Sequence, residues 1–314
     1  GFIRLLERLR TQSRRPHKLI IINTEEELMP AEVKERIAEL DRDRTEAFPG
    51  GAELIHIKKK DFDHAATRNL GVSRSEAESF ICMTDDAMPA DDRLVERLIG
   101  ALSLSGPSGE TVALAYARQL AAEEATERER FTRTFNYPGT SRIKTAEDMK
   151  SLGIKAFFAS NVCCAYRRDI FDSLSGFSEP AIFNEDMVYA AGALKAGYAV
   201  AYEASARVIH SHSYGPIKQL HRNFDLGMSQ SLRPETFSGI RSEGEGIRLV
   251  RSTAVHLMRS GRPLEIPSLI AESGAKYTGY LLGKHFRSLP RSVVYGLCSN
   301  RSFLDRMYGR MDRS

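Results

Sequence analysis

Short apolar runs alternate with helical segments along the first 200 residues of this chain. Runs typical of strands occupy residues 18–23, 53–58, 80–83, 112–116 and 198–210, and helical spacing of apolar residues occupies residues 3–12, 30–40, 64–74 and 92–104. This alternation predicts an α/β fold with a doubly wound, mostly parallel sheet, because each helix carries the chain back to the start of the next parallel strand.

Two segments depart from this alternation. Residues 121–152 are polar and rich in Glu, Arg and Thr, which indicates an insertion over the sheet edge. After residue 221 the pattern becomes helical, with apolar spacing in residues 246–258 and 268–283. We therefore predict a main domain over residues 1–230 and a helical C-terminal region over residues 231–314.

The positive charge of the chain lies in its C-terminal quarter. The formal net charge is +4, and residues 241–314 carry 13 Lys/Arg against 6 Asp/Glu. Such a tail suits anionic lipid headgroups or an acidic partner, although a solvated helix surface is the commoner explanation. Nucleic acid is not favoured, because the sequence has no zinc-finger spacing, no aromatic RNA-binding segment and no dense basic block.

Cysteine usage and hydropathy indicate the cellular compartment. The four cysteines show no paired metal-ligand spacing, and most lie inside apolar runs, where a thiol packs as a small hydrophobic group. We see no secretory signal and no uninterrupted apolar segment of the roughly 18 residues that cross a bilayer. We expect a cytoplasmic protein, with peripheral contact at the inner face of the membrane as a further expectation.

Two adjacent carboxylates, Asp85 and Asp86, end the apolar run that begins at Ser79. In open α/β sheets ligands bind beyond the carboxyl ends of strands, where a carboxylate can hold a hard divalent cation that also binds phosphate. This position indicates a nucleotide-type substrate. The simpler alternative is that both residues begin a turn and cap the next helix.

Three separate segments are expected at the same edge of this sheet. Asp86 follows one strand, Glu185 and Asp186 begin a helix, and His210 and His212 follow the last strand. Asp86 with either histidine could hold Mn²⁺ or Mg²⁺ and leave positions open for a diphosphate. Asp186, near a helix N-terminus, could accept a proton. Taken singly, the acids could be helix caps and the histidines ordinary surface or core residues.

Six segments resemble the inverting glycosyltransferases of family 2, which have the GT-A fold, and within them the rhamnosyltransferase-like branch. The order and spacing of the segments match over residues 1 to 228, and more weakly to residue 297. The segments are 20–25 (IIINTE); 62–71 (FDHAATRNLG); 84–89 (TDDAMP); 158–161 (FASN) with 166–171 (YRRDIF) and 176–177 (GF); 184–187 (NEDM) with 195–198 (KAGY); and 208–214 (VIHSHSY) with 224–227 (FDLG). The assignment to rhamnose transfer depends mainly on residues 208–214 and 224–227.

The resemblance implies a role for several of these side chains. Asp86 matches the last acid of the family's Asp-x-Asp metal motif, and His210, with His212 beside it, matches the metal-ligand histidine. Asp186 matches the base that deprotonates the acceptor hydroxyl. The acceptor oxygen then attacks the anomeric carbon in line, and the metal stabilises charge on the departing nucleoside diphosphate, so the anomeric configuration inverts.

The resemblance also implies a nucleotide-sugar site. Arg68 and Asn69 match the pair that lines it, since a guanidinium can reach base or phosphate oxygens. We place Thr24, Asp85 and Glu185 in the same donor site. Thr84 stands where the metal motif has its first acid, and residues 23–25 replace the acid that usually follows the second strand. The family's first strand, which ends in Pro-x-Tyr-Asn, is expected before residue 3, and this sequence begins after it.

The leading expectation is therefore a metal-dependent glycosyltransferase. It would move a sugar, rhamnose from dTDP-rhamnose, to a hydroxyl of a growing surface glycan or lipid-linked acceptor. The alternatives are a non-catalytic module that binds nucleotide sugars or glycans, and a peripheral membrane scaffold that acts through the basic C-terminal helices.

Overall fold

The fold is taken from a computed structural model of the chain. It describes residues 1–43, 48–212, 214–239 and 243–312. Ser213, one residue of the expected VIHSHSY segment, lies outside the described residues.

Strands and helices alternate through the N-terminal two thirds, and helices follow to the end. The strands are β1 (Leu19–Thr24), β2 (Ala52–Ile57), β3 (Ser79–Met83), β4 (Met88–Pro89), β5 (Val112–Leu120), β6 (Arg142–Lys144), β7 (Cys163–Arg167) and β8 (Ala199–Ile209). The α-helices are α1 (Phe2–Arg10), α2 (Ala31–Arg42), α3 (His64–Val72), α4 (Leu94–Leu102), α5 (Glu127–Asn136), α6 (Asp148–Leu152), α7 (Arg168–Ser173), α8 (Glu185–Lys195), α9 (Pro216–Ser231), α10 (Pro234–Phe237), α11 (Glu243–Arg259), α12 (Ile266–Lys284), α13 (Arg291–Leu297) and α14 (Arg301–Met311).

The main sheet is mixed rather than mostly parallel. Its strand order is β3-β7-β5-β8, and the outer edge of β8 pairs with both β4 and β6. Of these pairings only β5 with β8 is parallel; β1 and β2 form a separate parallel pair. The expectation of a mostly parallel sheet is wrong in this respect. Strand periodicity does not encode direction, and the polar segment 121–152 contributes α5, β6 and α6 before the chain returns as β7.

Strand direction decides where the ends of the strands meet. Strand β7 runs antiparallel to both of its neighbours, β3 and β5, while β8 runs parallel to β5. It follows that β3, β5 and β8 all point the same way. The residues after their last positions, which include Asp86 and His210, therefore lie at one edge of the sheet.

Side chains of the central strand pack on both faces of the sheet. In β5, Leu114 and Tyr116 belong to the core on one face, while Ala115 and Ala117 belong to the core on the other. This alternation follows from the two-residue period of a strand. Because both faces are covered, β5 is almost fully buried, and a polar residue near its end needs a hydrogen-bond partner.

The parallel pair β1–β2 has its own small core. Leu6 of α1, Ile37 and Leu40 of α2 and Phe48 are almost completely buried there, together with Ile21 of β1. The apolar residues of α1 recur at helical spacing, so one side of this helix covers the strand pair.

The C-terminal helices pack closely on α9. An added Cβ at Gly279 of α12 would lie 2.2 Å from the carbonyl oxygen of Leu220, and one at Gly283 would lie 2.0 Å from that of Phe224. These glycines allow the two backbones to touch. The contact crosses the boundary that we place near residue 230, and the division into two domains stays a prediction.

Replacing Gly283 with alanine is expected to destabilise the protein by about 1–3 kcal/mol, because the new methyl group must push α12 away from α9. Gly274 in the same helix is the matched control, since an added Cβ there meets nothing within 4 Å. Gly274→Ala is expected to stabilise the helix by about 0.5–1 kcal/mol. Urea unfolding of both variants measures the difference, and equal shifts would contradict the close helix contact.

Candidate active site

One carboxylate and two imidazoles converge beyond the ends of β3 and β8. The Nε2 atom of His210 lies 3.4 Å from Oδ1 of Asp86, and Nε2 of His212 lies 3.0 Å from Oδ2 of Asp86. One ligand atom from each residue lies within 4.8 Å of the others. His210 is buried, His212 is half-buried, and the Asp86 side chain is 42% exposed, so the group opens to solvent on the Asp86 side.

The donor atoms of this group suit a divalent metal ion. A carboxylate with two imidazoles is a common ligand set for divalent transition metals, whereas Mg²⁺ prefers oxygen ligands alone. The pKa of Asp86 is held well below its usual range by the hydrogen bond to His210, aided by a hydrogen bond from the Thr84 hydroxyl. Asp86 is therefore ionised at neutral pH, as a metal ligand must be. Asp85 is exposed and does not belong to this group.

Two acids begin helix α8, and they differ in their surroundings. Asp186 accepts backbone N–H bonds from Asn161 at 2.8 Å and from Met187 at 2.8 Å. The pKa of Asp186 is raised to about 7. Burial is the largest cause, and the negative charge of neighbouring Glu185 is the second. A carboxyl group with this pKa is suited to accept a proton near neutral pH.

Glu185 is buried in an ion pair. Its Oε1 atom lies 3.1 Å from Nη1 of Arg68 and accepts a hydrogen bond from the amide of Asn161 at 2.9 Å. Burial by itself would raise the pKa of Glu185, but the charges of Arg68 and His64 outweigh it, and the net pKa is lowered. Glu185 therefore stays negative beside Asp186, which keeps the pKa of Asp186 high.

A single segment, residues 160–162, connects Asp186 to the metal-ligand group. The backbone N–H of Asn161 binds Asp186, and the carbonyl of Val162 accepts a hydrogen bond from the backbone N–H of Thr84 at 3.2 Å. The Ser160 hydroxyl accepts a hydrogen bond at 3.0 Å from Gln119, which also contacts His210. The structure thus brings the three predicted positions, 86, 186 and 210, to one edge of the sheet.

The other residues predicted to bind a donor have varied environments. Arg68 is half-buried and held by Glu185 and by the backbone carbonyl of His64 at 3.1 Å. The amide of Asn69 donates to the carbonyl of Phe177 and to Glu179, and it accepts the backbone N–H of Phe177. Asn69 therefore fixes the turn at residues 176–179. Thr24 ends β1 and belongs to the two-stranded sheet rather than the main sheet.

Sequence reasoning assigned no role to four residues that support this site. They are Asn161, which lies in the matching segment 158–161, and Gln119, Glu129 and Arg133, which lie in none; each bonds to a candidate catalytic or metal-binding residue or to its direct partner. One signal was available, because Gln119 is a polar residue near the end of a long apolar strand. The contacts of Glu129 and Arg133 depend on how α5 folds over the sheet edge, which periodicity does not reveal.

The α/β sheet with helices after it, and with acids and histidines at one sheet edge, has the GT-A fold. A solved structure with this fold is the mannosyltransferase PcManGT from Pyrobaculum calidifontis, in complex with GDP-Man and Mn²⁺. The alignment covers 96% of this chain and 78% of the mannosyltransferase chain, with a TM-score of 0.50 and 12% sequence identity. At this level of identity the match shows a similar fold. The predicted GT-A class, with helices after the sheet, is confirmed.

The family model described as Glycosyl transferase family 2 matches residues 2–175. The chain is 37% identical over 293 residues to the O-antigen chain rhamnosyltransferase RfbN of Salmonella typhimurium, which covers 92% of this chain and 87% of that protein. It is 35% identical over 286 residues to the O-antigen chain rhamnosyltransferase WbaN of Salmonella anatum, covering 90% and 84%. The chain belongs to glycosyltransferase family 2, and the predicted resemblance to its rhamnosyltransferases is confirmed.

Among the residues that the structure describes, no helix combines the length and apolar character that spanning a bilayer demands.

Replacing Arg68 with glutamine is expected to destabilise the fold by about 3–5 kcal/mol, because it leaves Glu185 buried without its guanidinium partner. The control is Arg74→Gln, at a residue 51% exposed and paired with half-exposed Glu53. This control is expected to cost less than about 1 kcal/mol. Chemical denaturation of both variants provides the comparison, and an Arg68→Gln variant as stable as the control would refute the buried pair.

Proposed function

We propose that this chain transfers a rhamnosyl group from dTDP-rhamnose to a hydroxyl of a growing surface glycan or lipid-linked acceptor, with inversion of the anomeric centre. The observation that carries the proposal is the 37% identity to an O-antigen chain rhamnosyltransferase over 92% of this chain. Identity at this level over nearly the full length supports a shared sugar class, whereas the fold alone leaves it open.

Asp186 is the proposed general base. Its carboxylate takes the proton of the acceptor hydroxyl while the acceptor oxygen forms a bond to the anomeric carbon and the bond from that carbon to the diphosphate oxygen breaks. The two backbone N–H groups that bind Asp186 orient its carboxylate. Its pKa of about 7 makes it ionised above neutral pH and a competent proton acceptor there.

Asp86, His210 and His212 are the proposed ligands of Mn²⁺, and Mg²⁺ is the less favoured ion because of the two imidazoles. When bound, such an ion stabilises the negative charge of the leaving nucleoside diphosphate. Arg68, oriented by Glu185, is proposed to contact the donor, and Asn69 to act through the turn that it holds. Thr24 and Asp85 stay predicted donor-site residues.

Replacing Asp186 with asparagine is expected to lower kcat for rhamnosyl transfer from dTDP-rhamnose by about 10²–10⁴-fold, because the amide cannot accept the proton. For the wild type, kcat/KM is expected to rise with pH and level off above pH about 7, as Asp186 becomes ionised. A turnover assay with purified acceptor glycan, run across pH, measures both, and the variant should lose the pH-dependent limb.

Binding of dTDP in the presence of Mn²⁺, measured by calorimetry, is the control for Asp186→Asn and should be nearly unchanged. Transfer that persists in the variant would show that Asp186 is not the base. A wild-type chain that binds dTDP with Mn²⁺ but turns over no acceptor would favour the alternative, a binding module without catalysis.

We also propose that helix α11 contacts an anionic membrane surface, which would bring the site to a lipid-linked acceptor. Ile247, Val255 and Met258 are 71%, 41% and 65% exposed and lie on one side of the helix. Arg251 lies among them and Arg259 beside them, both exposed. Apolar side chains flanked by arginine are typical of helices that lie in the headgroup region of anionic bilayers.

The double variant Ile247→Ser with Met258→Ser is expected to bind vesicles containing anionic phospholipid at least about tenfold more weakly than the wild type. The reason is that two apolar side chains, which would transfer from water into the bilayer on binding, are replaced by polar ones. Vesicle flotation measures this, with purely zwitterionic vesicles as the lipid control. Leu28→Ser is the protein control, because Leu28 is 76% exposed outside the C-terminal region. Equal vesicle binding by the wild type, Leu28→Ser and the double variant would contradict membrane contact. Self-association of the wild type that only the double variant loses would also contradict it.

A further inference from the structure

Helix α5 lies between the candidate metal ligands and the C-terminal helices. On one side, Oε1 of Glu129 accepts the backbone N–H of His212 at 2.9 Å. From the same side, the guanidinium of Arg133 donates a hydrogen bond to Oε1 of Gln119. That same oxygen lies 3.0 Å from Nδ1 of His210. One short helix therefore reaches both histidines, one through the backbone and one through a buried amide.

The contacts of Gln119 determine which nitrogen of His210 carries the proton. Arginine can only donate hydrogen bonds, so the Gln119 atom facing Arg133 must be the carbonyl oxygen, and the amide nitrogen then faces Ser160, which accepts at 3.0 Å. An oxygen acceptor opposite Nδ1 requires that Nδ1 donate. A neutral His210 in this tautomer has its lone pair on Nε2, available to a metal ion beside Asp86, whereas the hydrogen bond to Asp86 needs a proton on Nε2.

The opposite side of α5 is attached to the C-terminal region. Glu127 lies 2.7 Å from Nε2 of His256 in α11, and the ring of Phe131 stacks on that of His256 at 4.4 Å. Arg128 lies 2.9 Å from Glu272 of α12. These contacts attach α5 to α11 and α12, so the helix that reaches both histidines also contacts the C-terminal region.

We propose that Gln119, Arg133 and Glu129 are positioning residues of the metal centre, with Gln119 selecting the Nε2 lone pair of His210 and Glu129 holding the loop that carries His212. The inference depends on the metal assignment made under the proposed function. Partners of metal-binding imidazoles commonly orient the ring and select its tautomer in this way. The partners here come from α5 and β5, outside every segment that contains a ligand.

The test measures Mn²⁺ binding directly by titration calorimetry, with the purified full chain and no donor or acceptor. Gln119→Met removes the acceptor and is expected to weaken Mn²⁺ binding about 10–100-fold. Gln119→Glu keeps an oxygen opposite Nδ1 and is expected to bind close to the wild type. If Gln119 had a purely structural role, Mn²⁺ affinity would not differ between Gln119→Glu and Gln119→Met in this way.

Arg133→Gln and Arg130→Gln form a matched pair on the same helix. Arg133 contacts Gln119, whereas exposed Arg130 contacts the backbone of Glu123. Only Arg133→Gln is expected to weaken Mn²⁺ binding, and this pair tests the inference even if Gln119→Met does not fold. Melting temperatures without metal show whether the variants are folded.

Two outcomes separate the inference from the proposed function. In the first, the wild type binds Mn²⁺, and the Gln119→Met and Arg133→Gln variants each bind it as tightly as the wild type. The positioning role is then wrong, while the metal site stands. If the wild type binds no Mn²⁺, alone or with dTDP, the metal assignment is wrong and the positioning role falls with it.

Discussion

The common direction of β3, β5 and β8 is the constraint on which the candidate site depends. Strand β7 lies between β3 and β5 and runs antiparallel to both. Because two antiparallel pairings separate β3 from β5, these two strands point the same way. The ends of three strands, at residues 83, 120 and 209, thereby share one edge. Carboxylate, amide and imidazole groups attached just beyond those ends can then meet without any single segment containing the site.

Buried charge gives this edge its chemistry. Glu185 is kept ionised by Arg68, and its negative charge acts on Asp186 one residue away, so that two adjacent carboxyl groups have pKa values shifted in opposite directions. Environments that separate the pKa values of two acids commonly assign them different roles. Here the first acid holds a guanidinium, and the second is left able to take up a proton near neutral pH. Residue 161 joins them, since its side chain bonds to one acid and its backbone N–H to the other.

Much of the fold could be predicted from local pattern, and the rest could not for identifiable reasons. Apart from the two-residue strand β4, the α-helices and strands up to β5 follow from periods of 3.6 and 2 residues, which are local properties. Strand β6 and helix α5 lie in a polar stretch whose period is weak, because the strand has only three residues and α5 buries no side chain completely. The direction of β7 was also out of reach, since hydrogen bonding to distant neighbours decides it.

The candidate site shows the same division. The sequence by itself determined the family and the residue types at positions 86, 186 and 210, because those segments carry their chemistry in a few adjacent residues. Only the tertiary structure decided that His212 joins Asp86 and that Asn69 holds a turn. It alone also revealed the contacts of α5 with both histidines. Such contacts join residues that are up to about 90 positions apart, and their geometry depends on how helices pack over the sheet, which no local pattern records.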